Sequence, residues 1–387
     1  MKTKILSRLL AGCLLALAVW LVHVPTPAQA GEVPEKYRET VQKGLEFLAK
    51  NQAKDGHWEG DGGKHPVAIT SLAGMALLME GSNVQEGKYR AHISKAVDWL
   101  VARSEARRDG LIFSDHPSET DRYMYGHGLA TEFLGWAYAK EIDAKRNEKL
   151  DQIILRAVKY ILKARSSEGG WYRTAKIEGH DFSEILATAI QTQALCAAGK
   201  HGFFLRGAAL EDGWDYLEKM LARLDEGAKP AQNRSKQAEA ATALPCLIWN
   251  HKRWNEESCK KWYKYCQSEI PVGRAVKFGR DELTHYYYAQ GLFIAHKRGK
   301  DFAAWTDYRT AMFDHLQARR TRTAAGRPPR PPREERSASA RSTRPPCGAR
   351  FSSSTKTAIP WRSTPHRNEG SHHEIQGRVC SAGRLPA

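Results

Sequence analysis

The chain has 387 residues, 41% of them hydrophobic, which is enough to bury one large core or two smaller ones and excludes a peptide hormone or a fully disordered chain. The formal net charge of +17 resembles that of a nucleic-acid-binding protein, but the charge is concentrated at the two ends. Residues 319–387 contribute +11, residues 1–30 contribute +3, and residues 31–318 carry the remaining +3. The body of the chain is nearly neutral, so we expect no nucleic-acid partner.

The first thirty residues have the three-part layout of a secretory signal peptide. A short basic segment precedes an apolar run over residues 9–24, and the small residues Ala28 and Ala30 follow. We expect cleavage after Ala30 and export to the periplasm or the extracellular space. A lipoprotein, with Cys13 as the lipidated residue, or an uncleaved N-terminal anchor is the alternative. No later stretch reaches the ~20 apolar residues of a membrane span.

A repeat of about six units runs through residues 31–318. Its marker is an aromatic residue or histidine followed by a bulky residue, at intervals of 46 to 61 residues: Phe47-Leu48, Trp99-Leu100, Tyr160-Ile161, Tyr216-Leu217, Trp262-Tyr263 and His315-Leu316. In the first unit Val41, Leu45 and Leu48 are spaced i, i+4, i+7, which places them on one face of an amphipathic helix.

A second, more apolar helix is predicted after each of the first five markers. These helices cover residues 67–79, 125–139, 185–198, 238–249 and 286–295. Their apolar residues extend around most of the circumference, which is typical of helices covered on both sides. A helical hairpin repeated in this way must stack on its neighbours to bury its apolar surface. The sequence therefore predicts an all-α protein in which inner and outer helices form a ring.

Two segments carry a resemblance to a known family. Residues 52–58 (Gln-Ala-Lys-Asp-Gly-His-Trp) and 165–171 (Arg-Ser-Ser-Glu-Gly-Gly-Trp) resemble the QW-type repeats of squalene cyclases and protein prenyltransferase β-subunits. The resemblance covers residues 41 to about 317. It implies an α/α toroid. It also implies a cavity for an apolar or isoprenoid-like ligand. The repeat count predicts about six hairpins, the last of them incomplete because the helical pattern breaks at Arg319.

The chemistry of these families is only partly represented in the chain. Squalene-type cyclases use an Asp-x-Asp-Asp cluster as a strong acid, and the single Asp181 before residue 185 is the nearest counterpart here. The alternative is that Asp181 caps the next helix, with Glu184 completing a capping box. The Asp-x-Cys pair of the prenyltransferase zinc site is absent, and we expect neither a metal nor another cofactor.

Other candidate residues lie at the predicted starts of two inner helices. We predict His127 and His285 as acid–base groups at one mouth of the ring. The predicted ligand-binding residues beside them are Tyr123, Tyr125, Asp281, Tyr286 and Tyr287. The alternative is that these tyrosines and histidines pack between helices.

These observations lead to a first hypothesis about function. We expect an exported, non-catalytic protein that binds an apolar or isoprenoid-like molecule or partner in the ring. One alternative is a terpenoid cyclase or transferase. Another is a carbohydrate-active toroid that uses the carboxylates of the loop containing Asp115, Glu119 and Asp121.

The composition changes abruptly at Arg319, where Arg, Pro and Ser replace the helical pattern. We interpret residues 319–387 as a disordered basic tail produced by a frameshift. In a frame displaced by one base, residues 320–326 can encode Asp-Ala-Asp-Gly-Ser-Trp. This would be the next Gly-Trp turn, by which we mean a turn with glycine one or two residues before tryptophan, as at the end of both QW-type segments. The alternative is a genuine basic tail that binds acidic glycans or membrane surfaces. Sequencing the gene around Gln317 distinguishes the two.

Overall fold

The structure is a computed structural model that describes residues 33–60, 62–203, 207–230, 234–273, 281–299 and 301–324. Over these ranges the regular secondary structure is helical apart from one isolated antiparallel bridge, between Gly60 and Lys64. None of the helices in this part of the chain has the length and apolar composition needed to cross a lipid bilayer. The all-α prediction is confirmed.

Eleven helices of at least 13 residues follow one another in the described ranges, and odd-numbered outer helices alternate with even-numbered inner helices. They are α1 Glu35–Lys50, α2 Pro66–Met79, α3 Arg90–Glu105, α4 Tyr123–Tyr138, α5 Ala144–Ala164, α6 Ile185–Lys200, α7 Ala208–Asp225, α8 Lys236–Trp249, α9 Glu257–Glu269, α10 Asp281–Lys297 and α11 Phe302–Ala324. Each inner helix packs on the next one in the order α2, α4, α6, α8, α10, and the outer helices surround them. This is the arrangement of an α/α toroid.

The two classes of helix differ in how they are buried, as the sequence predicts. In the outer helix α5 the buried residues, among them Leu150, Ile154 and Ile161, form one face, and Asp143 caps the first turn by accepting a hydrogen bond from the Arg146 amide at 2.7 Å. The inner helix α8 is buried at every position from 238 to 248. An inner helix has neighbours all round, which explains its lack of a polar face.

The Gly-Trp turns of the first and third units make the same hydrogen bonds. The Trp58 indole donates to the Leu48 carbonyl at 2.7 Å, and the Trp171 indole donates to the Ile161 carbonyl at 2.7 Å. In both units the tryptophan amide donates to a threonine hydroxyl of the following inner helix. Each tryptophan therefore links the end of an outer helix to the inner helix of the same hairpin.

The outer ring closes through its first and last helices. The Tyr37 hydroxyl on α1 donates to the Asp314 carboxylate on α11 at 2.7 Å, and the Tyr37 and Phe313 rings stack with centroids 4.9 Å apart. The helix of the last hairpin therefore contacts the first outer helix directly.

The last hairpin is incomplete among the described residues, since α11 is not followed there by an inner helix. Helix α11 continues to Ala324, five residues beyond the predicted start of the tail at Arg319. Most of the predicted tail and the predicted signal peptide lie outside the described residues. Their assignments remain predictions.

Candidate functional site

The inner helices share a face that points to the centre of the ring. We call this the inner face and define it by residues of four helices: Ala68 and Leu72 on α2, Tyr125, Leu129 and Glu132 on α4, Leu186, Ile190 and Gln193 on α6, and Leu283, Tyr286, Tyr287 and Gln290 on α10. The spacing on α4, with Leu129 and Glu132 four and seven residues after Tyr125, is that of one helical face. Most of these side chains are half-buried, which distinguishes them from the fully buried core between the rings.

Three of the predicted ligand-binding tyrosines lie on the inner face. Tyr287 is 1% exposed and belongs to an apolar cluster with Leu129, Leu186 and Ile190, against which Tyr125 and Tyr286 pack. Burial raises the pKa of Tyr286 and Tyr287 well above the ordinary value, so both phenols are neutral at physiological pH. The structure brings these tyrosines together, while their binding role remains a prediction.

One carboxyl group that the sequence analysis did not single out lies on this face. Glu132 is half-buried on α4, and burial raises its pKa to about 7, against a smaller lowering by a hydrogen bond from Trp136. Its charge raises the pKa of Tyr286 and Tyr287 on α10, so it lies within electrostatic range of both phenols. In the sequence, Glu132 can be recognised as the one acidic residue of the inner helix α4, seven residues after Tyr125.

Two glutamines also lie on the inner face. The Gln193 side-chain amide on α6 donates to the Gln290 side-chain oxygen on α10 at 3.2 Å. Gln290 also hydrogen-bonds Tyr286, and Gln193 hydrogen-bonds the buried Cys246 thiol. The inner face thus has an apolar part near the starts of α4, α6 and α10 and a polar part farther along these helices.

His127 and Tyr123 point away from the inner face, toward the outer ring. The buried His127 accepts a hydrogen bond from the Ile112 amide at 3.1 Å and donates to the Ala157 carbonyl at 3.3 Å. Burial lowers the His127 pKa to about 4. Tyr123 accepts a hydrogen bond from the Ala175 amide at 2.8 Å. Tyr123 and His127 are four residues apart and therefore share one face of α4. Each is two residues from Tyr125, a rotation of about 200°, so both lie on the opposite side of the helix from Tyr125. Neither side chain therefore lies on the inner face, and the catalytic role predicted for His127 and the binding role predicted for Tyr123 stay predictions.

His285 is also directed outward. Its Nδ1 lies 3.0 Å from the Tyr308 hydroxyl of the outer helix α11, and the two rings are tilted against each other. This is the packing between helices that the sequence left open as an alternative. Asp281 is the first residue of α10, but its side chain lies outside the described residues. The predicted catalytic role of His285 and the binding role of Asp281 remain untested.

Asp181 lies in an exposed loop before α6. Its carboxylate accepts hydrogen bonds from the Ser167 amide and hydroxyl, both at 2.7 Å, and pairs with Lys176 at 3.2 Å. These hydrogen bonds from Ser167, with the contribution of Lys176, hold the pKa of Asp181 well below its ordinary value. Helix α6 starts at Ile185 with Glu184 as its N-cap residue and without a side-chain cap. The capping-box interpretation is therefore wrong, because Asp181 binds the preceding Gly-Trp turn instead.

The three carboxylates of the loop before α4 have different environments. Asp115 is exposed, and Asp121 is paired with Arg122 at 2.8 Å. Glu119 is 3% exposed and accepts hydrogen bonds from the Val67 and Ala68 amides, at 3.0 and 3.2 Å. Glu119 therefore caps the inner helix α2, where the positive end of the helix dipole favours a carboxylate.

We expect the Glu119 carboxyl to make stability depend on pH. Burial outweighs the lowering by the Ala68 and Val67 amides and raises the folded-state pKa from 4.5 to about 7. Between these pH values the folded state therefore binds more protons than the unfolded state. The free energy of unfolding should therefore fall as the pH rises through this window, by up to about 3 kcal/mol. Glu119→Gln keeps the hydrogen-bond acceptor and should remove this dependence.

Urea unfolding at pH 5 and pH 8 measures the effect. The Glu119→Gln variant should be close to the wild type at pH 5 and more stable than it at pH 8. Glu148→Gln, at an exposed position of α5, is the matched control and should follow the wild type at both pH values. If the free energies of unfolding of Glu119→Gln and wild type change by the same amount between pH 5 and pH 8, the raised pKa of Glu119 is wrong.

Among the described residues, no group of three or more His, Cys, Asp and Glu side chains is arranged to hold a metal ion. In the part of the chain that the structure describes, Cys246, Cys259 and Cys266 are buried thiols outside any disulfide.

Comparison with known proteins supports the squalene cyclase side of the resemblance. Residues 28–201, which contain α1 to α6, match the profile of the squalene-hopene cyclase C-terminal domain. Lanosterol synthase of Homo sapiens is 29% identical over 140 residues, which are 35% of this chain and 18% of the synthase. The match thus spans less than a fifth of that relative's length. The residues that match the profile contain both QW-type segments.

Proposed function

Since this chain is squalene cyclase-like and is folded as an α/α toroid, we propose that it is an exported, non-catalytic protein that binds an apolar, isoprenoid-like ligand on its inner face. The observation that carries the proposal is the composition of that face. Four inner helices direct half-buried aliphatic and aromatic side chains to one place, with few polar groups among them. Binding sites for small apolar molecules are concave and lined in this way.

The acid needed for a cyclase is not supported by the groups described. A carboxylic acid that protonates a carbon–carbon double bond must be unusually strong. The pKa of Asp181 is low, but its carboxylate is ionised and occupied by Ser167 and Lys176 on the exposed side of the Gly-Trp turn. Glu132 lies on the inner face, but burial makes it a weaker acid than usual. We therefore favour binding over cyclisation.

The carbohydrate-active alternative has one observation in its favour, a polar surface pocket of about 410 Å³ between α5 and α7. Its carboxylates are largely occupied, since Asp212 pairs with Arg165 and Asp215 pairs with Arg253. Carboxylates that are each paired with an arginine are poor candidates for the acid and the nucleophile of a glycosidase.

Incubation of the purified protein with squalene tests the proposed function. We expect squalene to bind, as measured by native mass spectrometry, and gas chromatography to show no product. Leu72→Gln, on the inner face, should weaken binding, whereas Leu155→Gln, at a position 37% exposed on α5, should leave it unchanged.

A cyclised product would overturn the non-catalytic part of the proposal. Absence of squalene binding, or an equal loss of binding in both leucine variants, would overturn the inner face as the site. Release of sugars from a polysaccharide mixture would instead favour the carbohydrate-active alternative.

A further inference from the structure

The polar part of the inner face is not explained by binding of a pure hydrocarbon. Burying polar side chains beside a hydrocarbon costs free energy unless the polar groups find hydrogen-bond partners. Here Gln193, Gln290 and Tyr286 are linked by hydrogen bonds beside the apolar cluster, and Glu132, on a third inner helix, lies within electrostatic range of Tyr286. Such a set is more consistent with a ligand that has a polar group at one end.

We infer that Glu132, Tyr286 and Gln290 form a polar subsite on the inner face that binds the hydroxyl group of an isoprenoid alcohol. This inference rests on the proposed function and specifies the class of ligand. The chain of the alcohol would lie on the apolar cluster of Leu129, Leu186 and Ile190, which adjoins the subsite.

The charges around the subsite favour a neutral hydroxyl over a phosphorylated head group. A carboxyl group repels a diphosphate, and phosphate recognition requires arginine or lysine side chains. The arginine whose charge acts on Tyr287 is Arg234, and its guanidinium is paired with Glu239 at 2.9 Å, with both side chains buried. This arginine is therefore already neutralised within the fold.

The hydrogen-bonding capacity of the three side chains also matches a hydroxyl group. A hydroxyl donates one hydrogen bond and accepts others. The Glu132 carboxyl and the Gln290 oxygen can accept, and the Tyr286 phenol, which burial keeps neutral, can donate. The subsite therefore offers partners for both roles of the hydroxyl group.

The experiment compares farnesol with farnesene, which have the same carbon skeleton with and without the hydroxyl group. In equilibrium binding to the full chain we expect farnesol to bind about tenfold more tightly, the effect of one well-made hydrogen bond. Glu132→Leu should reduce this preference to below about threefold and leave the affinity for farnesene nearly unchanged. Glu148→Leu, at an exposed position, is the control and should keep the wild-type preference.

The outcomes separate the inference from the proposed function. If neither compound binds, the proposed function fails and the inference fails with it. If the wild type binds both equally, or Glu132→Leu weakens both equally, the inference alone fails. Should Glu132→Leu not fold, as judged by circular dichroism, the wild-type preference and the Gln290→Leu variant decide the question.

Discussion

Replacing Trp171 by alanine is expected to lower the free energy of unfolding by about 4 kcal/mol, in the range for a buried aromatic residue. Trp171 is fully buried, and its indole donates to the Ile161 carbonyl at 2.7 Å. Its amide donates to the Thr188 hydroxyl at 3.0 Å. The substitution leaves a cavity and a carbonyl without its donor, between the outer and inner helices of the third hairpin.

Urea denaturation followed by circular dichroism measures this loss. Trp249→Ala removes the same side chain at the end of α8, where the tryptophan is 40% exposed, and should cost less than about 1.5 kcal/mol. Equal losses in the two variants would show that the Gly-Trp turn contributes no more than an exposed position does.

The second large effect is expected for Gly110→Ala, in the turn after α3. Gly110 has φ of +93°, and a Cβ there would lie 2.5 Å from the Arg156 carbonyl oxygen on α5. The left-handed conformation alone costs about 1 kcal/mol or more for alanine. The contact between the added Cβ and Arg156 must also be relieved by moving α3 and α5 apart. We therefore expect the free energy of unfolding to fall by about 3 kcal/mol or more in total.

Gly81→Ala is the matched control, because Gly81 has φ of +112° and nothing within 4 Å of the added Cβ. It should lose only the conformational part, about 1 kcal/mol. The difference between the two variants measures the contact between neighbouring outer helices. Losses of the same size in both variants would contradict a role for this contact.

The same close contact between a glycine and the next outer helix recurs around the ring. The glycine after an outer helix contacts the next outer helix at Lys95 for Gly56, at Arg156 for Gly110 and at Asp212 for Gly169. The QW-type segments of the sequence contain two of these glycines. The helix periodicity and the glycine positions were therefore sufficient to predict hairpins and their stacking, because both depend on local spacing.

The candidate site was less predictable. The sequence correctly indicated that Tyr125, Tyr286 and Tyr287 lie on inner helices near their starts, but it did not indicate which face of a helix points inward. His127 is two residues from Tyr125, and that rotation is enough to bury it against Ile112 and Ala157. Inner helices are apolar all round, so their sequence contains no polar face from which orientation can be deduced.

By itself, the sequence determined the helical class, the repeat length and the alternation of outer and inner helices, since these follow from the spacing of apolar residues and glycines along the chain. Only the tertiary structure decided that Tyr37 and Asp314, at opposite ends of the described chain, close the outer ring. It also decided that Gln193 and Gln290 meet on the inner face. These contacts join residues 97 and 277 positions apart, and they depend on the rotation and curvature of whole helices, which local spacing does not encode.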